Sequence, residues 1–130
     1  MSSANKNLSE FRTDELPEIQ HKKFAILVSE WNEEVTNALY AGAYETLIKH
    51  GAQEKNIISQ SVPGSFELTL GAQKMAQKPE VDAVICLGCV IQGETKHFDF
   101  VCEGVTQGIK DLNVQTDIPV IFCVLTDNNM

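Results

Sequence analysis

A chain of 130 residues, 43% hydrophobic and 22% charged, is long enough for one domain and apolar enough to build a core. Its formal charge of -8 is spread without a basic stripe, which weighs against nucleic acid and anionic membrane as partners, since both call for clustered Lys and Arg. No apolar run approaches the roughly 18 residues of a membrane span, and the N-terminal MSSANKNLSEFRTDELPEIQHKK lacks the apolar centre of a signal peptide, so the expected location is cytoplasmic.

Residues 1–21 form an arm with little periodicity, ending near Pro17, and residues 22–130 read as the folded domain. FAILVSEW (24–31) is strand-like. Asn32 can then cap a helix whose first turn holds Glu33 and Glu34, where acidic groups suit the helix dipole, and Val35, Leu39, Ala43 and Leu47 recur every fourth position up to His50-Gly51. NIISQSV (56–62) is a second strand. It breaks at Pro63-Gly64 into a helix with Leu68, Ala72, Met75 and Ala76 inward, which ends before Pro79. VDAVICLGCVI (81–91) is a third strand, apolar enough for burial on both faces. A third helix over about 96–112 puts Phe98, Val101, Val105, Ile109 and Leu112 on one side, and IPVIFCVLT (118–126) is a fourth strand.

Alternating strands and helices predict parallel strands joined by right-handed crossovers, with helices on both faces. The expected fold is therefore α/β, a flavodoxin-like three-layer sandwich with a parallel sheet of four main strands. The fourth strand lacks a following helix to cover it, a task that residues 1–20 are able to fill if the chain is not cut short.

The Cys86-x-x-Cys89 pair invites a metal or redox reading, but its odd spacing within a strand sends the two side chains to opposite faces. Together with Cys102 and Cys123 they read as small buried hydrophobes in a reducing compartment, and no metal set is visible.

In a parallel sheet, ligands bind beyond the carboxyl ends of the strands. SEWN (29–32), SVPGSFE (61–67), CVIQGETKH (89–97) and VLTDNNM (124–130) meet there. Gly93, Glu94 and Thr95 open the third helix, where backbone N–H groups suit a phosphate, with the Thr95 hydroxyl and Lys96 to assist; a plain glycine turn with Thr95 as cap is the alternative. His97 follows, and imidazole exchanges protons near neutral pH. Trp31 is placed to stack on a flat heterocycle or to serve as a core aromatic, and Glu67 to accept from a polyol or to favour its helix dipole. These residues describe a site for a flat ring, hydroxyls and a phosphate, with one histidine moving protons.

With SEWN, VPGSFEL, DAVICLGCVIQGETKHFDFV and PVIFCVLT in order, the chain from Phe24 to Thr126 resembles the 6,7-dimethyl-8-ribityllumazine synthase family. The resemblance implies condensation of 5-amino-6-(D-ribitylamino)uracil with 3,4-dihydroxy-2-butanone 4-phosphate in riboflavin biosynthesis, with loss of phosphate and water and no cofactor. It matches Trp31 to the position that stacks on the pyrimidine, with Asn32 beside it, and Ser65, Phe66 and Glu67 to the ribityl-binding segment. Cys89, Val90 and Ile91 match the segment that reads the uracil edge; Gly93, Glu94 and Thr95 match the phosphate turn; His97 matches the catalytic histidine. Phe122 matches an aromatic that reaches the site of an adjacent subunit. The implied partners are small-molecule substrates and identical subunits sharing active sites, in pentamers or icosahedral shells, with riboflavin synthase a candidate. Family chains continue past the fourth strand with two helices, the first carrying a phosphate-binding arginine, so the sequence predicts a chain lacking both. The alternatives are a flavodoxin-like module that binds the ring without turnover and, less well supported, a Cys-x-x-Cys redox protein.

Overall fold

Residues 16–128 are described by a computed structural model. The order is β1 (Phe24–Ser29), α1 (Glu33–Lys49), β2 (Ile57–Val62), α2 (Leu68–Ala76), β3 (Ala83–Ile91), α3 (His97–Gln115) and β4 (Val120–Asp127). One-turn 3-10 helices at Glu54–Asn56 and Ser65–Glu67 lead into β2 and α2. All strand pairings are parallel, in the order β2-β1-β3-β4, so the α/β sandwich expected from the sequence is what forms. The arm assigned to residues 1–21 lies outside the described residues up to position 15, as does the cover suggested for β4 over that stretch.

Alternation along the strands sorts the core into two layers. Ala25 and Leu27 of β1, with Val84, Cys86 and Val90 of β3, join Leu68 and Ala72 of α2 and Val105, Ile109 and Leu112 of α3 in one cluster. Ile26, Leu87 and Cys89, one residue out of phase, are buried outside that cluster, on the face where α1 packs against β1 and β3. Each fully buried Leu or Ile contributes on the order of 1.5–3 kcal/mol, so these two layers dominate the stability. The expected inward positions of α2 and α3 are the observed ones. On α1, Val35, Leu39, Ala43 and Leu47 are half-buried, and Thr36 is its one fully buried residue.

Strand boundaries are set by backbone bonds that composition does not reveal. β1 stops at Ser29, short of Trp31: the Glu30 N–H closes the ladder on the Val62 carbonyl at 2.9 Å, shared with Pro63 at 3.3 Å, and beyond it Asn32 turns the chain into the left-handed region. β3 starts at Ala83, where Asp82 and Lys23 lock the lower corner: the Asp82 N–H donates to the Lys23 carbonyl at 2.8 Å and the Lys23 N–H to Asp82 Oδ2 at 2.8 Å. β4 starts at Val120, where the Asn113 amide acts as a substitute strand, donating to the Val120 carbonyl at 2.7 Å and accepting from its N–H at 2.8 Å. On β4, Ile121 and Leu125 are 44% and 50% exposed, so among the described residues no helix covers that end of the α1 face.

The α2–α3 contact depends on a missing side chain. A Cβ on Gly108 would collide with Thr69 Oγ1 and stand 2.8 Å from Thr69 Cγ2. At an open helical position Gly→Ala is worth up to about 1 kcal/mol in stability. Here overpacking, which costs about 1–3 kcal/mol, outweighs that gain. Gly108→Ala is therefore expected to lower the urea midpoint at unchanged slope, and adding Thr69→Ala to recover part of the loss; a stabilised Gly108→Ala protein counts against this packing.

Candidate active site

From β1 the chain turns outward to β2, and from β3 it turns the other way to β4, so the crevice beyond the adjacent ends of β1 and β3 is the switch point of the sheet. A cavity of about 510 Å3 opens there. It is lined by Trp31 and Asn32 after β1, Gly64, Ser65, Phe66 and Glu67 after β2, Cys89, Val90 and Ile91 at the end of β3, and His97 and Val101 on α3.

Asn32 shapes the first wall. It holds φ 62° and ψ 54°, the left-handed region that Asn tolerates better than most residues. The sequence predicts it as a helix cap, and its carbonyl does accept the N–H groups of Val35 and Thr36, both at 3.0 Å. Its side chain does not cap: Nδ2 reaches across to the Cys89 carbonyl at 3.2 Å, tying the β1–α1 turn to the end of β3. The same turn throws Trp31 outward. At 72% exposed its indole is no core aromatic, and Phe66, at 59%, stands at the same cavity. Two exposed rings at one cavity offer an apolar face to a planar ligand.

The Pro63-Gly64 break is held by Glu67, whose Oε1 accepts the Gly64 N–H at 2.9 Å while the Gly64 carbonyl accepts the Glu67 N–H at 3.2 Å. One carboxylate oxygen is thus engaged, and Glu67 still lines the cavity.

At the start of α3, the Thr95 hydroxyl accepts the His97 N–H at 3.3 Å. The N-cap of α3 is Lys96, with no side-chain cap bond, so Thr95 is not the cap of the plain-turn alternative; its oxygen accepts from one residue beyond the cap, and the hydroxyl hydrogen is left to donate elsewhere. His97 begins the helix and lines the cavity, and Val101 stands one turn further on. Gly93, Glu94 and Thr95 are exposed and precede the helix, and the structure does not bring them into the cavity lining. Phe122, on β4 and 42% exposed, is not among the lining residues; in the ladder it stands opposite Cys86, below the strand ends.

Two lining residues escape the sequence reading. Val101 is there assigned to the core face of α3, although its position four after His97 places it on the same helix side. Gly64 is there a strand breaker, yet the indole packs over it, with Trp31 Cδ1 3.2 Å from where its Cβ would stand. Burial disfavours the thiolate form at the two cysteines of β3. Burial pushes Cys86 up to about 12, with Cys123 adding to the shift, and raises Cys89, where Asp127 contributes as well. β3 is unbroken through Gly88, so Cys86 and Cys89 do face opposite sides.

Comparison with known proteins follows the same residues. The model of the family described as 6,7-dimethyl-8-ribityllumazine synthase matches residues 21–130. A protein of that name from Flavobacterium johnsoniae is 65% identical over 130 residues, covering 100% of this chain and 68% of its own. That of Christiangramia forsetii is 59% identical over 131 residues (100% and 78%), and that of Cytophaga hutchinsonii 58% over 129 residues (99% and 80%).

The double duty of Asn32 separates into two variants. Asn32→Gly keeps the left-handed turn and loses the tether to Cys89, whereas Asn32→Ala loses both, adding a backbone cost of about 1–2 kcal/mol. Ordered stabilities, wild type above Gly above Ala in thermal or urea unfolding, are expected. Equal stability of the two variants would show that the turn is unstrained.

Proposed function

The chain belongs to the 6,7-dimethyl-8-ribityllumazine synthase family, and from that premise we propose that it condenses 5-amino-6-(D-ribitylamino)uracil with 3,4-dihydroxy-2-butanone 4-phosphate in the cavity between β1 and β3. The observation that carries this reading is the convergence of Trp31, Ser65, Phe66 and Glu67, Cys89, Val90 and Ile91, and His97 on one cavity from four separate segments. The products are 6,7-dimethyl-8-ribityllumazine, phosphate and water, and the enzyme is a transferase of riboflavin biosynthesis.

In this reading the pyrimidine stacks on Trp31 and its edge meets the backbone of Cys89, Val90 and Ile91, with Asn32 fixing the Cys89 carbonyl. The ribityl chain runs along Ser65, Phe66 and Glu67, where the carboxylate oxygen not held by Gly64 accepts from its hydroxyls. The phosphate rests on the Gly93–Thr95 turn, and the Thr95 hydroxyl donates to it while accepting from His97 N–H.

The chemistry moves protons without redox change. The substrate amine adds to the ketone, the carbinolamine loses water to an imine, a proton leaves carbon as phosphate departs, and the second amine closes the ring with loss of another water. His97, at the cavity edge, takes and returns these protons. Holding both substrates in one crevice removes the entropic cost of their encounter. The same proposal includes identical subunits that complete one another's sites, with Phe122 reaching the neighbour's cavity, in a pentamer or a shell of pentamers, in the cytoplasm, with riboflavin synthase as candidate partner.

Mixing both substrates with the protein and following lumazine absorbance and free phosphate tests the assignment; tight ring binding with no phosphate release would make it a binding module. His97→Ala is expected to leave binding of the ribityl substrate intact and to lower turnover by about 10²- to 10⁴-fold. Unchanged turnover would return His97 to a helix-start residue. Trp31→Phe should be nearly neutral in pyrimidine affinity and Trp31→Ala costly, because stacking needs a face rather than an indole N–H; equal losses would point to a hydrogen bond instead.

A further inference from the structure

Beneath the cavity lie two hydroxyls that the reaction scheme does not use together. Ser29, the last residue of β1, is 1% exposed, and Ser65, at the turn into α2, is 5% exposed. Neither Oγ has a hydrogen-bond partner among the described residues. They converge on one notch in β3, where Gly88 carries no side chain. A Cβ there would stand 2.5 Å from Ser65 Oγ and 3.3 Å from Ser29 Oγ, with Leu68 Cδ1 at 3.1 Å. Ser65 lines the cavity and Ser29 does not.

A buried hydroxyl left without a partner loses its hydration with nothing in return, and two at the same notch are a heavy loss for a small domain. Alanine at either position would avoid that cost. Such groups are met in proteins by a bound water or by a ligand. The apolar Leu68 supplies neither, and Ser65 is the member of the pair that borders the cavity.

We propose that Ser29 is a positioning residue for the polyol chain of the substrate: its hydroxyl and that of Ser65 share one water in the Gly88 notch, and this linkage presents a fixed hydroxyl at the cavity floor to a hydroxyl of the ligand. The inference rests on the reading of this cavity as the ribityl site. Ser29 touches no reacting atom. It acts through Ser65, and its contribution is to affinity and to discrimination between a hydroxylated chain and an alkyl chain of the same length. Gly88 is required because any side chain there displaces Ser65 Oγ.

Calorimetric binding of two ligands tests this on the intact chain: 5-amino-6-(D-ribitylamino)uracil, and an analogue whose ribityl group is replaced by a plain alkyl chain. Ser29→Ala is expected to weaken the ribityl ligand about 3- to 10-fold, the worth of one hydrogen bond, and to leave the alkyl ligand unchanged. KM for the ribityl substrate should rise likewise, with kcat and KM for the phosphate substrate unaltered and the thermal midpoint unchanged or higher. Ser29→Cys, close in shape but a poor hydrogen-bonding group, should show the same selective loss and covers the case in which the alanine variant does not fold. Equal ribityl affinity in variant and wild type, or equal loss of both ligands, overturns the proposal. If the wild-type protein itself fails to bind the ribityl ligand, the cavity assignment falls and this inference with it; wild-type binding that Ser29→Ala leaves untouched sinks only the role of Ser29.

Discussion

The 3.2 Å bond from Asn32 Nδ2 to the Cys89 carbonyl is the contact on which the site's geometry depends. It joins the ends of the two strands that flank the switch point, and it does so from a residue whose backbone is already in the left-handed region. Because the carbonyl of the same residue begins α1, helix, turn and β3 end are held as one unit. The indole of Trp31 is presented at the rim by this turn and rests against Gly64. Glu67 plays the parallel part on the opposite wall, where one carboxylate oxygen fixes the Gly64 turn and the residue lines the cavity. Both walls thus use a single polar side chain to hold backbone geometry at the point where hydrophobic packing gives out.

Much of the architecture was legible in the sequence because the strands are short, apolar and separated by helices of clear periodicity. VDAVICLGCVI could hardly be anything other than a doubly buried strand, and Val105, Ile109 and Leu112 mark the inner side of α3 without help from context. The limits of the elements were less visible. Glu30 closes the β1–β2 ladder on Val62 and Pro63, and Asn113 pairs with Val120 through its side chain. Such bonds depend on partners 7 to 33 residues away, so local composition cannot announce them. α1 shows a different limit: its fourfold repeat was correct in phase, yet its apolar residues are only half covered, because amphipathic period reports which side faces inward and not how much lies over it.

For the site, residue type and strand-end position sufficed to nominate Trp31, Glu67 and His97, and the family resemblance added Ser65, Phe66, Cys89, Val90 and Ile91; all of them line one cavity. Val101 escaped because an apolar residue on a helix's core side is indistinguishable in sequence from one at a cavity edge. Ser29 escaped for a sharper reason: a serine at a strand end is unremarkable until Gly88 and Ser65 are seen beside it. Membership in the family agrees with what the cavity suggests and supplies the chemistry that geometry alone leaves general.

Every one of the four thiols is shifted upward, chiefly by burial, with Cys86 reaching about 12 and Cys89, Cys102 and Cys123 raised less. Thiolate is the reactive form, so at neutral pH the native cysteines are slow toward alkylating reagents. A single cysteine placed on the exposed side of α1 or α3 would therefore outcompete them. Fluorophores or spin labels can be attached at chosen surface positions without first stripping the core of its sulfur, which keeps the packing around β3 intact while distances to the cavity are measured.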